Sequence, residues 1–329
     1  MPKRILAKNH ANLTLLIGNG INLAQGGRGG ISWSNLIRQL IIDAFPAAQG
    51  IRRKQLQKLL PAADEKKAAS YPEIFDIISA AMGPAASRKF KLQEHIAGLL
   101  QTMKPGPPHA ALMGWAQNHQ VPVLTTNYDH CLQEAVSKPA LKRRRFGTGR
   151  ALSDFYPWDR YYAPASVDDP LSTFALWHIH GDRAYKRSLR VGLDQYMGMV
   201  QRLRGLTQQI AKHVYNDSPH QPLTFDQAPW LPLFMSRKLW IQGLGLGVDE
   251  VSIRWLLIQR YRFWRALHDY DETASGWYVH GPTEEIGALD EPRKIFFENV
   301  GLRVIEITTA EQVYCGLFHA QGIGAESRR

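Results

Sequence analysis

Six short apolar runs, each followed by glycine or polar residues, constrain the fold of this chain more than any other feature. Their residues are almost continuously hydrophobic and rich in β-branched types, without the alternation of a half-exposed strand. Strands of this kind are buried on both faces, as in a parallel sheet that helices cover. The runs span 13–17, 121–124, 174–179, 239–241, 277–279 and 304–307. The sequence therefore predicts an α/β protein with a Rossmann-like, mostly parallel sheet of about six strands flanked by helices.

Segments with helical periodicity lie between these runs and supply the covering layers. Residues 33–45 place apolar side chains on one stripe behind Ser32, which can cap a helix, and residues 251–268 repeat the pattern behind two acidic residues. From 47 to 120 the pattern is helical but is interrupted by prolines. We expect one domain over 1–329, with a helical insertion at 47–120 and long loops at 139–170 and 215–232.

Composition limits the class of protein. The chain has 329 residues, a formal net charge of +11 and two cysteines, Cys131 and Cys315. Two cysteines cannot form a disulfide framework or a four-cysteine zinc site within one chain. No run approaches the roughly 18 apolar residues that a membrane-spanning helix needs, and no apolar segment follows the basic N-terminus. We therefore expect a soluble, cytoplasmic protein with no membrane association.

The first apolar run ends in a glycine turn of the kind found in nucleotide-binding sheets. Gly18, Asn19, Gly20 and Asn22 follow the strand and precede the helix predicted at 33–45. Glycines there let the backbone approach a pyrophosphate, and free backbone amides can face its charge. Leu23 replaces the third glycine of the usual pattern, so a plain tight turn is the alternative. A glycine-rich loop follows, which could close over a cofactor or be only a mobile surface loop.

The second run ends in small polar residues at a position where open α/β sheets bind their ligands. These residues are Thr125, Thr126, Asn127 and Asp129. Asn127 can both donate and accept hydrogen bonds, so it could hold a water molecule or a ribose hydroxyl in one orientation. The alternative is structural, because Asn127 or Asp129 could instead cap a helix at 128–136.

The third run ends in two histidines, His178 and His180, which alternation along the strand places on the same face. Such a pair could bind a metal, but no third ligand lies nearby in the sequence, so we expect no metal site. His180 lies beside a glycine at the carboxyl end of the strand. An imidazole there, with an ordinary pKa of about 6.5, suits acid/base work or contact with a ribose.

The fourth run leads into a second glycine turn. Gly243 and Gly245 precede Asp249 and the helix predicted at 251–268, which repeats the arrangement of the first turn. Packing of Leu244 and Leu246 is the alternative purpose of this turn.

Together these segments resemble the sirtuin-like NAD hydrolases of bacterial anti-phage defence, which are distant relatives of the sirtuin deacylases. The order of the motifs carries the resemblance, and the Thr-Thr-Asn-Tyr-Asp string at 125–129 is its most diagnostic part. Residues 193–196 and 276–318 also look like family segments, whereas 47–120 and 139–170 match nothing specific. The resemblance thus extends over nearly the full chain.

The resemblance implies cleavage of the nicotinamide–ribose bond of NAD by an asparagine and a histidine, which Asn127 and His180 match. Asn127 would orient the attacking water, His180 would contact a ribose hydroxyl and accept a proton, and Asp129 would orient nearby groups. Deacylating sirtuins carry a four-cysteine zinc module that this chain cannot form, which favours water over acyl-lysine as the acceptor. The implied NAD-binding residues are Gly18, Asn19, Gly20, Asn22, Thr125, Thr126, Gly243, Gly245 and Asp249.

The resemblance also implies a role: an effector that depletes NAD in anti-phage defence, as a homo-oligomer and with a HerA-type ATPase or another defence partner. We expect an inactive resting state, because unrestrained NAD loss would kill the host. Two alternatives stay open. One is deacylation or ADP-ribosyl transfer. The other is a nucleotide-sensing or nucleic-acid-associated subunit without turnover, which would use basic runs such as 142–145 for its partner. The chain has no phosphate-loop motif, so any ATPase motor would come from a partner.

Overall fold

The computed structural model describes residues 2–24, 30–46, 49–60, 69–89, 91–136, 138–147, 154–216, 226–247, 250–267 and 275–318. Within them the chain forms an α/β fold in which helices flank one eight-stranded mixed sheet. The strands are β1 (Leu13–Ile17), β2 (Val123–Thr125), β3 (Lys142–Arg145), β4 (Arg160–Ala163), β5 (Leu176–His178), β6 (Lys238–Gln242), β7 (Gly276–His280) and β8 (Leu302–Glu306). Their spatial order is β3-β4-β5-β2-β1-β6-β7-β8.

Each of the six predicted apolar runs overlaps one of these strands. Neighbouring strands run parallel from β5 through β2, β1, β6 and β7 to β8. The strands β3 and β4 are additional, and they pair antiparallel with each other and, through β4, with β5. The sheet therefore has eight strands where the sequence predicted about six.

The two additional strands lie in the segment 139–170, for which the sequence pattern predicted a long loop. β3 consists of one lysine and three arginines, and β4 has the sequence Arg-Tyr-Tyr-Ala. β3 is an edge strand, where charged side chains oppose pairing with another sheet. Edge strands of this composition contain no hydrophobic run that a sequence pattern could detect.

The order of the parallel strands determines where a ligand can bind. Numbered along the chain, the six parallel strands lie in the order 3-2-1-4-5-6, which is compatible with a Rossmann-like fold. The order reverses between β1 and β6, which are hydrogen-bonded neighbours. Ligands of such sheets bind outside the carboxyl ends of the strands at this switch point. Gly18 follows β1 at that point, and Gly243 follows β6.

Helices cover both faces of the sheet. On one face, α1, α7 and α8 pack together with a π-helical turn against side chains such as Leu15 and Trp240. On the other face, α9, α10, α11 and α13 pack against side chains such as Leu16 and Ile241. Successive strand residues point to opposite faces, so a sheet covered on both faces requires the continuous apolar runs of the sequence. The helices are α1 (Pro2–Asn9), α2 (Gly20–Leu23), α3 (Trp33–Ala44), α4 (Gly50–Gln57), α5 (Tyr71–Lys89), α6 (Leu92–Leu100), α7 (Pro107–Asn118), α8 (Cys131–Glu134), α9 (Leu193–Asn216), α10 (Trp230–Ser236), α11 (Val251–Leu267), α12 (Thr283–Ile286) and α13 (Glu291–Asn299), and the π-helical turn is Gln312–Gly316.

Helices α3 to α6 form a separate layer with its own core, here called the helical module. Ser32 caps α3 as the sequence predicted, because its Oγ accepts a hydrogen bond from Asn35 N at 3.2 Å. A kink interrupts α5 at Gly83, where φ is +71°. Of the helices within 47–120, α4, α5 and α6 belong to this module, whereas α7 packs on the sheet.

Three predictions fall wholly or partly outside the described residues. Asp249 lies outside them, and only Gly30 of the glycine-rich loop at 26–30 is described. The loop predicted at 215–232 is bounded by α9 and α10, and residues 217–225 between them are also outside. No helix in the described ranges is long and apolar enough to cross a membrane.

Candidate active site

A cleft of about 350 Å³ opens at the carboxyl ends of the central strands. This volume lies in the range of small-molecule sites, roughly 300–1,000 Å³. Both glycine turns and the ends of β2, β5 and β7 contribute to its wall. The predicted residues that line it are Asn19, Gly20, Thr126, Asn127, Asp129, His180, Gly243 and Gly245. The structure thus brings the predicted asparagine and histidine into one cleft.

The first glycine turn is packed directly against the second. Gly18 N donates to Gln242 O at 2.9 Å, and Gly20 N donates to Gly243 O at 2.8 Å. A Cβ on Gly18 would lie 2.4 Å from Leu244 Cγ and 2.6 Å from Gly243 O. Glycine is therefore required at position 18 by contact between the turns. The amides of Gly18 and Gly20 already donate to backbone oxygens, so neither is free to bind a phosphate.

Asn127 lies at the end of β2 with its side-chain carbonyl directed into buried space. Its Nδ2 donates to Gly18 O at 3.3 Å, and its backbone N donates to Thr125 Oγ1 at 3.0 Å. Its Oδ1 is buried and accepts no hydrogen bond from the described residues. Thr125 itself is fully buried and bonds to Ile17 O, so it supports Asn127 instead of lining the cleft.

Asp129 is held by two donors. Its Oδ1 accepts from Cys131 N at 2.9 Å, two residues along the chain, which is a local turn contact. The N-cap residue of α8 is His130, so neither Asn127 nor Asp129 caps this helix. The Oδ2 of Asp129 accepts from Asn22 Nδ2 at 2.9 Å. The carboxylate is therefore fixed in position, and Asn22 supports it from beneath the cleft with only 1% of its surface exposed.

A buried histidine, His109 on α7, holds Asn22 in turn. Gly106 N donates to His109 Nδ1 at 3.1 Å, so the ring proton is on Nε2, which lies 2.8 Å from Asn22 Oδ1. Burial lowers the pKa of His109 more than the nearby Asp129 charge raises it, which favours the neutral ring. With Asn22 Oδ1 used as acceptor, its amide is left to donate to Asp129 and to Asn19 Oδ1.

His180 follows β5 and is 2% exposed. Its Nε2 lies 3.1 Å from the hydroxyl of Ser252, which is fully buried on the first turn of α11. The ring of Tyr196 meets it edge-on, with centroids 5.6 Å apart. Burial, with a smaller contribution from the positive charge of Arg190, lowers the pKa of His180 from 6.5 to about 3. The imidazole is therefore neutral near pH 7, and its unprotonated nitrogen can accept a hydrogen bond.

The lowered pKa of His180 predicts a loss of stability in acid. Below pH 6.5 the unfolded chain binds a proton at this histidine, whereas the folded protein does not until about pH 3. The free energy of unfolding should therefore be undiminished above about pH 6.5 and fall as the pH drops, by about 2 kcal/mol at pH 5. Urea unfolding of the wild type and of His180→Gln at pH 8 and pH 5 measures this difference. An equal pH dependence in both proteins would contradict it.

His178 does not join His180 in the cleft. Its Nδ1 donates to the backbone oxygen of Asn127 at 2.8 Å, and its Nε2 lies 3.3 Å from the side-chain amide of Gln133. Burial is the main cause that lowers its pKa. His178 thus fixes the strand end on which Asn127 sits. Among the described residues, no group of three potential metal-ligating side chains is present.

Three contributors to this region were not identified from the sequence: His109, Ser252 and Arg293. His109 and Ser252 are fully buried polar residues within otherwise amphipathic helices, and Arg293 lines the cleft from α13. Tyr196, which lies on His180, does belong to the segment 193–196 that was singled out.

No protein-family model matches this chain, and no curated protein matches it.

Proposed function

We propose that this protein hydrolyses NAD at the nicotinamide–ribose bond and releases nicotinamide and ADP-ribose. The observation that carries the proposal is that Asn127 and His180, from two different strand ends, line one cleft beside both glycine turns. A Rossmann-like domain places a dinucleotide at this switch point.

The proposed reaction makes modest demands on the side chains. The bond between ribose C1′ and the nicotinamide nitrogen breaks, its electron pair leaves with nicotinamide, and the ribose becomes oxocarbenium-like. A water oxygen then bonds to C1′ and loses a proton. Such a site needs to position water and ribose hydroxyls more than it needs a strong acid.

The cleft residues fit these demands. The Oδ1 of Asn127 is a buried acceptor that a ribose hydroxyl or the attacking water can satisfy. Neutral His180 can accept a hydrogen bond from a ribose hydroxyl and so orient the sugar. Asp129 is held by Asn22 and by Cys131, so its role is to orient neighbours and to supply fixed negative charge near the cationic ribose.

The biological role belongs to the same proposal. An NAD hydrolase of this type would act in the cytoplasm as an anti-phage effector that depletes NAD. It would be inactive at rest, and a change of homo-oligomeric assembly or a partner such as a HerA-type ATPase would activate it. The missing four-cysteine module favours water over acyl-lysine as the acceptor.

Direct measurement of the products tests the proposal. Purified protein, across a concentration series and with and without the product of the neighbouring gene, is incubated with NAD, and nicotinamide and ADP-ribose are separated by chromatography. We expect the two products in equal amounts under at least one of these conditions. Formation of acyl-ADP-ribose only when an acyl-lysine peptide is added would favour deacylation. Nucleotide binding with no nicotinamide release in any condition would contradict hydrolysis.

A nucleic-acid-associated subunit is the second candidate, and the edge strand β3 is the observation that favours it. Lys142 and Arg143 on this strand are exposed. Arg144 and Arg145 are partly used internally, since Arg145 pairs with Asp159 at 3.0 Å and Arg144 donates to Val167 O. DNA binding that weakens steeply with salt, without NAD loss, would support this candidate over the first.

A further inference from the structure

The carbonyl oxygens of the second glycine turn are bound by side chains. Leu244 O accepts from the hydroxyl of Tyr278 at 2.8 Å. Gly245 O accepts from Arg293 Nη1 at 3.3 Å, and Leu246 O accepts from Arg254 Nη1 at 2.8 Å. Three successive carbonyls are thus bound by side chains of β7, α13 and α11. Among the described residues, the amides of Leu244 and Gly245 donate to no acceptor.

This arrangement differs from that of the first turn. There the amides of Gly18 and Gly20 are consumed by backbone oxygens of the second turn. An anion needs amide donors that are not already used. In the second turn two successive amides, those of Leu244 and Gly245, have no described acceptor, whereas in the first turn this holds for the amide of Asn19, between Gly18 and Gly20. The second turn therefore offers a phosphate the larger set of adjacent donors.

The distribution of charge around the cleft also favours binding of an anion next to the second glycine turn. Of the described residues that line it, Asp129, Glu250 and Glu285 are acidic, and Arg293 alone carries a lasting positive charge. Arg293 pairs through Nε with Asp290 and through Nη1 with Gly245 O, and its Nη2 donates to no described acceptor. A dianionic ligand in this otherwise acidic cleft would be favoured only next to that guanidinium.

We propose that Arg293, together with the amides of Leu244 and Gly245, binds the phosphates of the nucleotide and so selects phosphorylated ligands for this cleft. The identity of that nucleotide as NAD rests on the proposed function. Binding of phosphates at this site does not depend on cleavage of the ligand. Arg293 therefore determines which ligands bind, and it does so before any bond is broken.

This assignment is tested by measuring the binding of ligands that have no nicotinamide–ribose bond, in proteins that keep Asn127 and His180. Calorimetric titrations with ADP, ADP-ribose and adenosine are compared for the wild type, Arg293→Gln and Arg293→Lys. We expect Arg293→Gln to raise the Kd for ADP and ADP-ribose by about tenfold or more and to leave the Kd for adenosine within about twofold. Arg293→Lys should lie between, since it keeps the charge without the planar fork.

Arg254→Gln is the matched control. Arg254 bonds to the same turn and stacks on Phe296 at 3.7 Å, but it does not line the cleft. It should change the Kd for ADP by less than about threefold. Equal losses of ADP and adenosine binding in Arg293→Gln, an unchanged Kd for ADP in that variant, or no ADP binding by the wild type would each overturn the proposal. Tight, Arg293-dependent ADP binding without NAD cleavage would instead leave it standing and refute hydrolysis.

Discussion

Replacing either Asn127 or His180 with alanine is expected to lower kcat for NAD cleavage by about a hundredfold or more. The loss of one preorganised group that acts in the transition state typically has this size. In Asn127→Ala the cleft loses Asn127 Oδ1, a buried oxygen that accepts no hydrogen bond from the described residues and can hold the attacking water. In His180→Ala a ribose hydroxyl loses its neutral acceptor. Initial rates of nicotinamide release over a range of NAD concentrations separate kcat from KM.

A loss of activity in these variants must be distinguished from a loss of stability. Asn127→Ala removes the bond from Nδ2 to Gly18 O, which should cost only about 1 kcal/mol of the free energy of unfolding. Asn299→Ala is a matched control, because it also removes a side-chain bond to a backbone oxygen but lies on the exposed face of α13. Rates of Asn127→Ala that equal those of Asn299→Ala would exclude Asn127 from the reaction.

Gly18→Ala is expected to destabilise the protein strongly, whereas Gly245→Ala is expected to be tolerated. The new Cβ at position 18 would lie 2.4 Å from Leu244 Cγ and 2.6 Å from the backbone oxygen of Gly243, so the two turns must separate. Overpacking of this kind typically costs about 1–3 kcal/mol. A Cβ on Gly245 meets nothing within 4 Å. Thermal and urea unfolding of the two variants compare them directly.

Both glycines were predicted to bind the nucleotide, so this pair of variants separates packing from binding. If Gly18 served only to admit a phosphate, Gly18→Ala would unfold like the wild type and lose ADP affinity. The contact between the turns predicts instead a lower free energy of unfolding, with Gly245→Ala close to the wild type. Equal stability of the two variants would contradict that contact.

The sequence predicted the positions of the central strands because a sheet covered on both faces requires continuous apolar residues. It did so for β1, where Leu15 and Leu16 face opposite cores. It did not predict β3, because this edge strand pairs with one neighbour only and consists of basic side chains, so no apolar run marks it. Residues 142–145 form a strand because they pair with β4, and this pairing cannot be read from the residues of the segment itself.

The same distinction applies to the site. Asn127 and His180 could be chosen from the sequence because each follows an apolar run at a strand end. His109 and Ser252 could not, since their roles depend on contacts with Asn22 and His180, 87 and 72 residues away along the chain. Gly18 was predicted as a nucleotide-binding residue, whereas the structure shows a packing reason for a glycine at this position. Only the packing of two distant turns explains why it must be glycine.

The contact between the two glycine turns also determines at which point of translation the cleft can form. β1 pairs with β6, and Gly18 N bonds to Gln242 O, so the N-terminal turn lacks its support until the ribosome has released residues beyond 243. Ser252, which contacts His180, emerges later still. Pairings of such long range form late in folding. A nascent or truncated chain that stops before β6 would therefore contain Asn127 and His180 but would lack the second glycine turn, which forms part of the cleft wall.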